Sequence, residues 1–206
     1  MSITYLFQAP QLTGEANRTS EAFGAAVWLW MHLPRQRQLS IKHLQNRLLE
    51  PVQQGQYVLV SARTPTGDRD PVALLLYACL SARAESRYIA EPAAPMAPAD
   101  WRSGDRLWLI DWVSPFGQSL GLREAMLRLF ARQTARSLSR RTGPHGRSVL
   151  TWRGATCTPH GAQAWWQDRP IQSADISELS WPGLSSWGVT VPAELLPRER
   201  PDLACH

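Results

Sequence analysis

Lysine is almost absent from this chain: Lys42 is the only one in 206 residues, so the net charge of +5 is carried almost entirely by arginine. That bias fits a GC-rich coding sequence. Cysteine is also scarce, and Cys79, Cys157 and Cys205 form an odd number without paired spacing. This argues against a disulfide framework and a structural zinc site, and the three read as reduced thiols. Cys79, at the end of an apolar strand, reads as a small core residue, with a covalent thiol role as the alternative. The histidines His43, His145, His160 and His206 show no metal-ligand spacing, so no metal is expected. No run approaches the about eighteen apolar residues of a spanning helix, and the N-terminus lacks a basic region followed by a long apolar stretch. A cytoplasmic protein without a membrane span is the expectation.

What is present is enough apolar matter for one sizeable core, since 44% of the 206 residues are hydrophobic. The divisions expected are an N-terminal extension over 1–20, a main domain over 21–169 and a proline-rich extension over 170–206. Trp165, Trp166, Trp181 and Trp187 toward the C-terminus read as packing anchors, or as cover for a ligand or partner. The basic balance favours an acidic partner reached by long-range steering. Arg123, Arg128, Arg132, Arg136, Arg140 and Arg141 recur largely at intervals of four along a predicted helix over Leu120–Arg140. A solvated helix face accounts for such a stripe, and nucleic acid is a less favoured partner.

The spacing of Phe23, Val27 and Trp30 predicts a helix over Glu21–Met31 with Thr19 or Ser20 as its cap. A second helix is predicted over Ser40–Leu49, with Ile41, Leu44 and Leu48 inward and Pro51 stopping it. Tyr57–Ala62 and Pro71–Leu80 read as a hairpin across the Arg63–Asp70 turn, and a further strand is expected over Arg83–Ile89. Glu91–Ala99 reads as a proline-rich loop, and Arg147–Arg153 as a strand.

The densest chemistry lies between Asp100 and Gly117, DWRSGDRLWLIDWVSPFG, with three tryptophans and three aspartates. Leu107-Trp108-Leu109-Ile110 fits a buried strand entered from the Ser103-Gly104-Asp105 turn, with Asp111 at or near its end. A carboxylate flanked by Ile110, Trp112 and Val113 is costly to bury unless paired or hydrogen-bonded. Asp111 is therefore either a functional group or a turn cap or partner of Arg106.

Asp100-Trp101, Ser103-Gly104-Asp105-Arg106, Trp108, Ile110-Asp111-Trp112 and Pro115-Phe116-Gly117 together resemble the signature of the RTX-toxin-activating lysine acyltransferases. Weaker similarity runs through Trp28-Leu29-Trp30 and Pro34, Gly55-Gln56-Tyr57 and Pro71-Val72-Ala73, covering roughly Phe23 to Trp152. The resemblance implies an α/β (α+β), Gcn5-related N-acetyltransferase-like fold: a central, mostly antiparallel sheet flanked by helices. It implies transfer of a fatty acyl group from acyl carrier protein to internal lysines of an RTX protoxin, by a His and an Asp, with no bound cofactor. Dimerisation is a further family trait. In the matching register the Asp is Asp111, but the position of the His is Gln36, which cannot accept a proton, and Leu33 replaces a serine. His32, one helical turn before Gln36, is the substitute base, although Pro34 interrupts such a turn; otherwise His32 simply ends an apolar helix face. A relative weakened in catalysis, which binds the carrier or an RTX protein without modifying it, is the alternative function. The missing glycine-rich pyrophosphate loop favours a carrier-protein donor over free coenzyme A. Scarcity of lysine would also spare such an enzyme from acylating itself.

Overall fold

Alternation of apolar residues at period two builds a seven-stranded sheet in this computed structural model, which describes residues 4–63, 66–117, 119–143, 146–172 and 177–180. The strands are β1 (Tyr5–Gln8), β2 (Tyr57–Arg63), β3 (Arg69–Leu80), β4 (Arg106–Val113), β5 (Thr134–Gly143), β6 (Gly146–Arg153) and β7 (Ser177–Ser180), and they lie in chain order across the sheet. Neighbours are antiparallel except β4 with β5 and β6 with β7. This is a mixed α+β fold with the mostly antiparallel sheet that the resemblance implies. β1, inside the 1–20 segment, pairs with β2. Most of 170–206, with Trp181 and Trp187, lies outside the described residues.

Helices cover both faces. Val58, Val60, Leu75 and Tyr77 point to the face covered by α6 (Ser119–Leu129), where Leu122, Met126 and Phe130 close a core. Their alternates Tyr57, Leu59, Leu74 and Leu76 point to the opposite face, against Ala22, Ala26, Leu29 and Trp30 of α2 (Thr19–Met31). Further along that second face, Ala78, Leu80 and Trp108 pack on α5 (Ala82–Ala90) through Ala84, Tyr88 and Ile89. Each fully buried leucine here contributes about 1.5–3 kcal/mol relative to exposure.

Several expectations are corrected. Arg83–Ile89 is a helix and not a strand: Ser81 accepts a hydrogen bond from the Ala84 amide at 3.2 Å, and Ala84, Glu85, Tyr88 and Ile89 form a buried stripe of helical period. The predicted helix over Leu120–Arg140 stops at Leu129, and Thr134–Gly143 is β5. The arginine stripe is therefore not one helix face, and Arg136 is buried in the sheet at 0% exposure. Helix α2 begins at Thr19 after Arg18, without a side-chain cap. Pro51 does not end its helix: α3 (Ile41–Leu44) passes through a π-turn over Gln45–Leu49 into α4 (Glu50–Gln53). The wider turn accommodates a residue that has no amide to donate. Cys79 is disulfide-bonded, and Cys157 is the free thiol among the described residues. No helix among them is long and apolar enough to cross a membrane.

Candidate active site

Asp111 lies within β4, two residues before its end, and a β-bulge aims its side chain. Leu76 of β3 pairs with Asp111 while the next residue, Tyr77, pairs with Leu109, so Ile110 is the extra residue. Before the bulge, Leu107 and Leu109 point into the α6-side core; after it, Trp112 takes that side and Val113 joins the α2-side core. The phase change therefore sends Asp111 to the α2 and α5 face instead of into apolar packing. Bulges commonly re-aim a side chain beside a functional site.

The same position is where the sheet opens. Parallel pairing between β4 and β5 joins Trp108 to Arg136 and Leu109 to Ser137 and reaches no further. A cavity of about 680 Å³ occupies the splay. Its walls include Tyr88 and Pro92 from one side of the sheet and Met126, Leu127 and Phe130 from the other, so it threads between the strands. Leu109, Trp112, Ala135, Leu150 and Trp152 keep it predominantly apolar, and its volume suits a single small-molecule chain or ring system.

A second, more polar hollow of about 280 Å³ is lined by Gln36, Asn46, Arg47, Trp30 and Leu76. Both hollows share Arg35, Tyr88, Pro92, Ile110 and Asp111. Asp111 thus stands where an apolar passage meets a polar opening. Burial, and then the negative charge of Asp111, push the Tyr88 hydroxyl well above its usual range, so it stays protonated as a hydrogen-bond donor. Arg47 donates to the Ala93 carbonyl, which ties the proline-rich loop over 91–97 down at this junction.

His32 is placed differently. It is exposed at the C-terminus of α2, and its ring lies between Trp28, 4.7 Å between centroids, and Phe116, 5.1 Å. Phe116 belongs to the loop that β4 enters after Val113. Nδ1 of His32 is 2.9 Å from the Trp28 carbonyl oxygen, which can only accept. Nδ1 must then carry the proton, leaving Nε2 as an acceptor. His32 is not among the residues lining either hollow with Asp111, whereas Gln36 is. Pro34 separates the two, and the chain leaves the α-helix before it, so they are not successive turns of one helix.

Glu85 was not singled out from the sequence. It is 1% exposed and accepts hydrogen bonds from Arg106 at 2.9 Å, Trp108 Nε1 at 2.8 Å and Arg136 at 3.0 Å. Arg106 thus pairs with Glu85, which answers the alternative that it serves Asp111. Arg136 also donates to the Arg169 carbonyl, and Trp165 of α7 (Pro159–Asp168) is stacked by Arg136 at 5.2 Å and Arg169 at 5.0 Å. Asp105 pairs with Arg169 at 2.5 Å. No local pattern marks this cluster: β5 is mostly polar and carries three arginines, so nothing in its sequence sets Arg136 apart as buried. No group of three or more His, Cys, Asp or Glu side chains among the described residues could hold a metal ion.

A family profile described as the RTX toxin acyltransferase family matches residues 15–153, which takes in the splayed strands, the bulge and the lining of both hollows except Gly154. The chain belongs to the RTX toxin acyltransferase family. Among relatives in this family, the protein-lysine palmitoyltransferase CyaC of Bordetella bronchiseptica is 33% identical over 159 residues, 76% of this chain and 82% of its own. The leukotoxin-activating lysine-acyltransferase LtxC of Aggregatibacter actinomycetemcomitans is 36% identical over 124 residues, covering 60% of this chain and 70% of its own. The protein-lysine myristoyltransferase HlyC of Escherichia coli is 34% identical over 122 residues, 59% of this chain and 68% of its own. The RTX family match stops at Arg153, so α7, with Trp165, and Arg169 lie beyond it, while Arg136 of the same stack lies within it.

Proposed function

We propose that this protein is a protein-lysine fatty acyltransferase that takes an acyl chain from acyl carrier protein and transfers it to internal lysines of an RTX-type protoxin. One observation carries the reading: the bulged Asp111 stands at the junction of an apolar passage through the sheet and a polar opening. The passage suits a hydrocarbon chain, and the opening suits an amine. An acidic carrier is a natural partner for a chain of net charge +5.

A lysine amine has a reference pKa of about 10.4 and must lose a proton before it attacks. Asp111 attracts the ammonium to the junction, where it releases one proton to solvent and becomes the neutral amine. The second proton leaves as the amine nitrogen bonds to the thioester carbonyl carbon; His32, exposed at the end of α2 outside the two hollows, is the base assigned to it, with Nε2 as the acceptor. The carbon–sulfur bond then breaks, and the imidazolium returns the proton to the departing thiolate of the carrier. The Trp28 carbonyl fixes the tautomer that this step requires. A second reading, a weakened relative that binds carrier or protoxin without transfer, is favoured by Gln36 sharing the polar hollow with Asp111.

Incubation with acyl carrier protein bearing a labelled fatty acid and with a lysine-containing RTX fragment separates the two readings. Acyl mass gained as an ε-amide supports the transferase. Binding without mass gain overturns it in favour of the second reading.

A further inference from the structure

The passage opens between β4 and β5 beyond their last pair, Leu109 with Ser137, and continues over the α6 face of the sheet, where it is closed; its other end is open. At the open end Arg35 is exposed and Asp111 half-buried. At the other, Phe130 and Ala135 are 7% and 4% exposed. Cross-strand pairing of Ala135 with Trp152 places both at this end, and Gly154 follows one strand residue later. Gly154 seals it by close approach: a Cβ there would lie 2.0 Å from the Phe130 carbonyl oxygen and 2.3 Å from that of Ala131. The floor is therefore made of backbone that cannot retreat, and Ala135 is the small side chain set in it.

Depth follows from the register. Pairing of Trp108 with Arg136 puts Ala135 level with Leu107, four residues along β4 from Asp111. Ile110 is the extra residue of the bulge, so Leu107 to Asp111 spans the three residue rises from Cys79 to Leu76 on β3, and at about 3.3 Å per residue the passage is about 10 Å deep along the strand. A chain whose thioester lies at Asp111 and whose tail enters the passage meets its end at Ala135. Protein interiors are close-packed, so added carbons there remove length from the cavity instead of being absorbed.

We propose that Ala135 sets the longest acyl chain this protein accepts; the inference rests on the acyl-transfer reading only for the identity of the reaction. The test compares acyl carrier proteins loaded with eight-, twelve- and sixteen-carbon chains, using the full chain and Ala135→Leu. The ratio of kcat/KM for the longest to the shortest donor should fall by about tenfold or more, since a single methylene in a hydrophobic pocket is worth at least that. Ala135→Val, a strand-compatible change of smaller volume, covers the case in which leucine prevents folding and should move the ratio in the same direction. An unchanged ratio in a folded variant overturns the proposal. Binding of free fatty acids of the same lengths, followed by tryptophan fluorescence, needs no turnover. A length limit that moves with Ala135 while no lysine is acylated leaves this proposal standing and fells the transferase reading. Acylation with an unmoved limit does the reverse.

Discussion

The two halves of the β4–β5 boundary use opposite solutions to the same problem. At Trp108 and Leu109 the strands are paired, and Glu85 ties Arg106 and Trp108 of β4 to Arg136 of β5. From Ile110 onward the bonding ends, a bulge turns Asp111, and a cavity replaces the partner strand. Buried charge is costly unless paired, and the ion pairs of Arg106 and Arg136 with Glu85 hold the closed half in its geometry. The open half can then remain open without the sheet sliding shut. Rigidity and vacancy are neighbours because one holds the other.

Substitutions should split along this line. For the open half, whose proton transfer is assigned to His32, His32→Ala at the end of α2 should lower acyl transfer by about 10²–10⁴-fold with little change in melting, the usual worth of a general base. Unimpaired transfer, together with a rise on Gln36→His, would relocate the base to the hollow shared with Asp111. In the closed half, Glu85→Ala should cost about 3–5 kcal/mol, because it leaves two buried guanidinium groups without their carboxylate. Urea unfolding would read that loss; a cost below about 1 kcal/mol would mean that solvent reaches the cluster. Gly154→Ala, at the floor where the two halves meet α6, should cost about 1–3 kcal/mol by overpacking, visible in the same unfolding curves. Ser81→Ala removes the cap of α5, the helix that delivers Glu85 and Tyr88, and should cost about 1 kcal/mol.

The open half was the more legible of the two in the sequence. The apolar run ending at Asp111 and the hairpin of β2 and β3 announce themselves through strand-length alternation and a Pro-Gly turn, and both are present. The bulge at Ile110 is silent in such a pattern, because an extra residue changes the face without changing the composition. The closed half was misread for a related reason. Arg136 looks like a surface charge until its partner is known, and that partner sits 51 residues away in the chain. With Glu85 assigned to a strand, nothing local could pair the two. Thr134–Gly143 likewise lost its strand character to a regular arginine spacing that turned out to be shared between a helix, a turn and a strand.

The carboxylate at the opening decides whether this geometry performs chemistry. Asp111→Asn keeps the shape of the side chain and removes its charge, so it should melt with the unaltered protein while acylating an RTX fragment at least about 100-fold more slowly from a labelled acyl carrier donor. Equal rates of ε-amide formation by the two proteins, measured side by side by mass, would contradict the account.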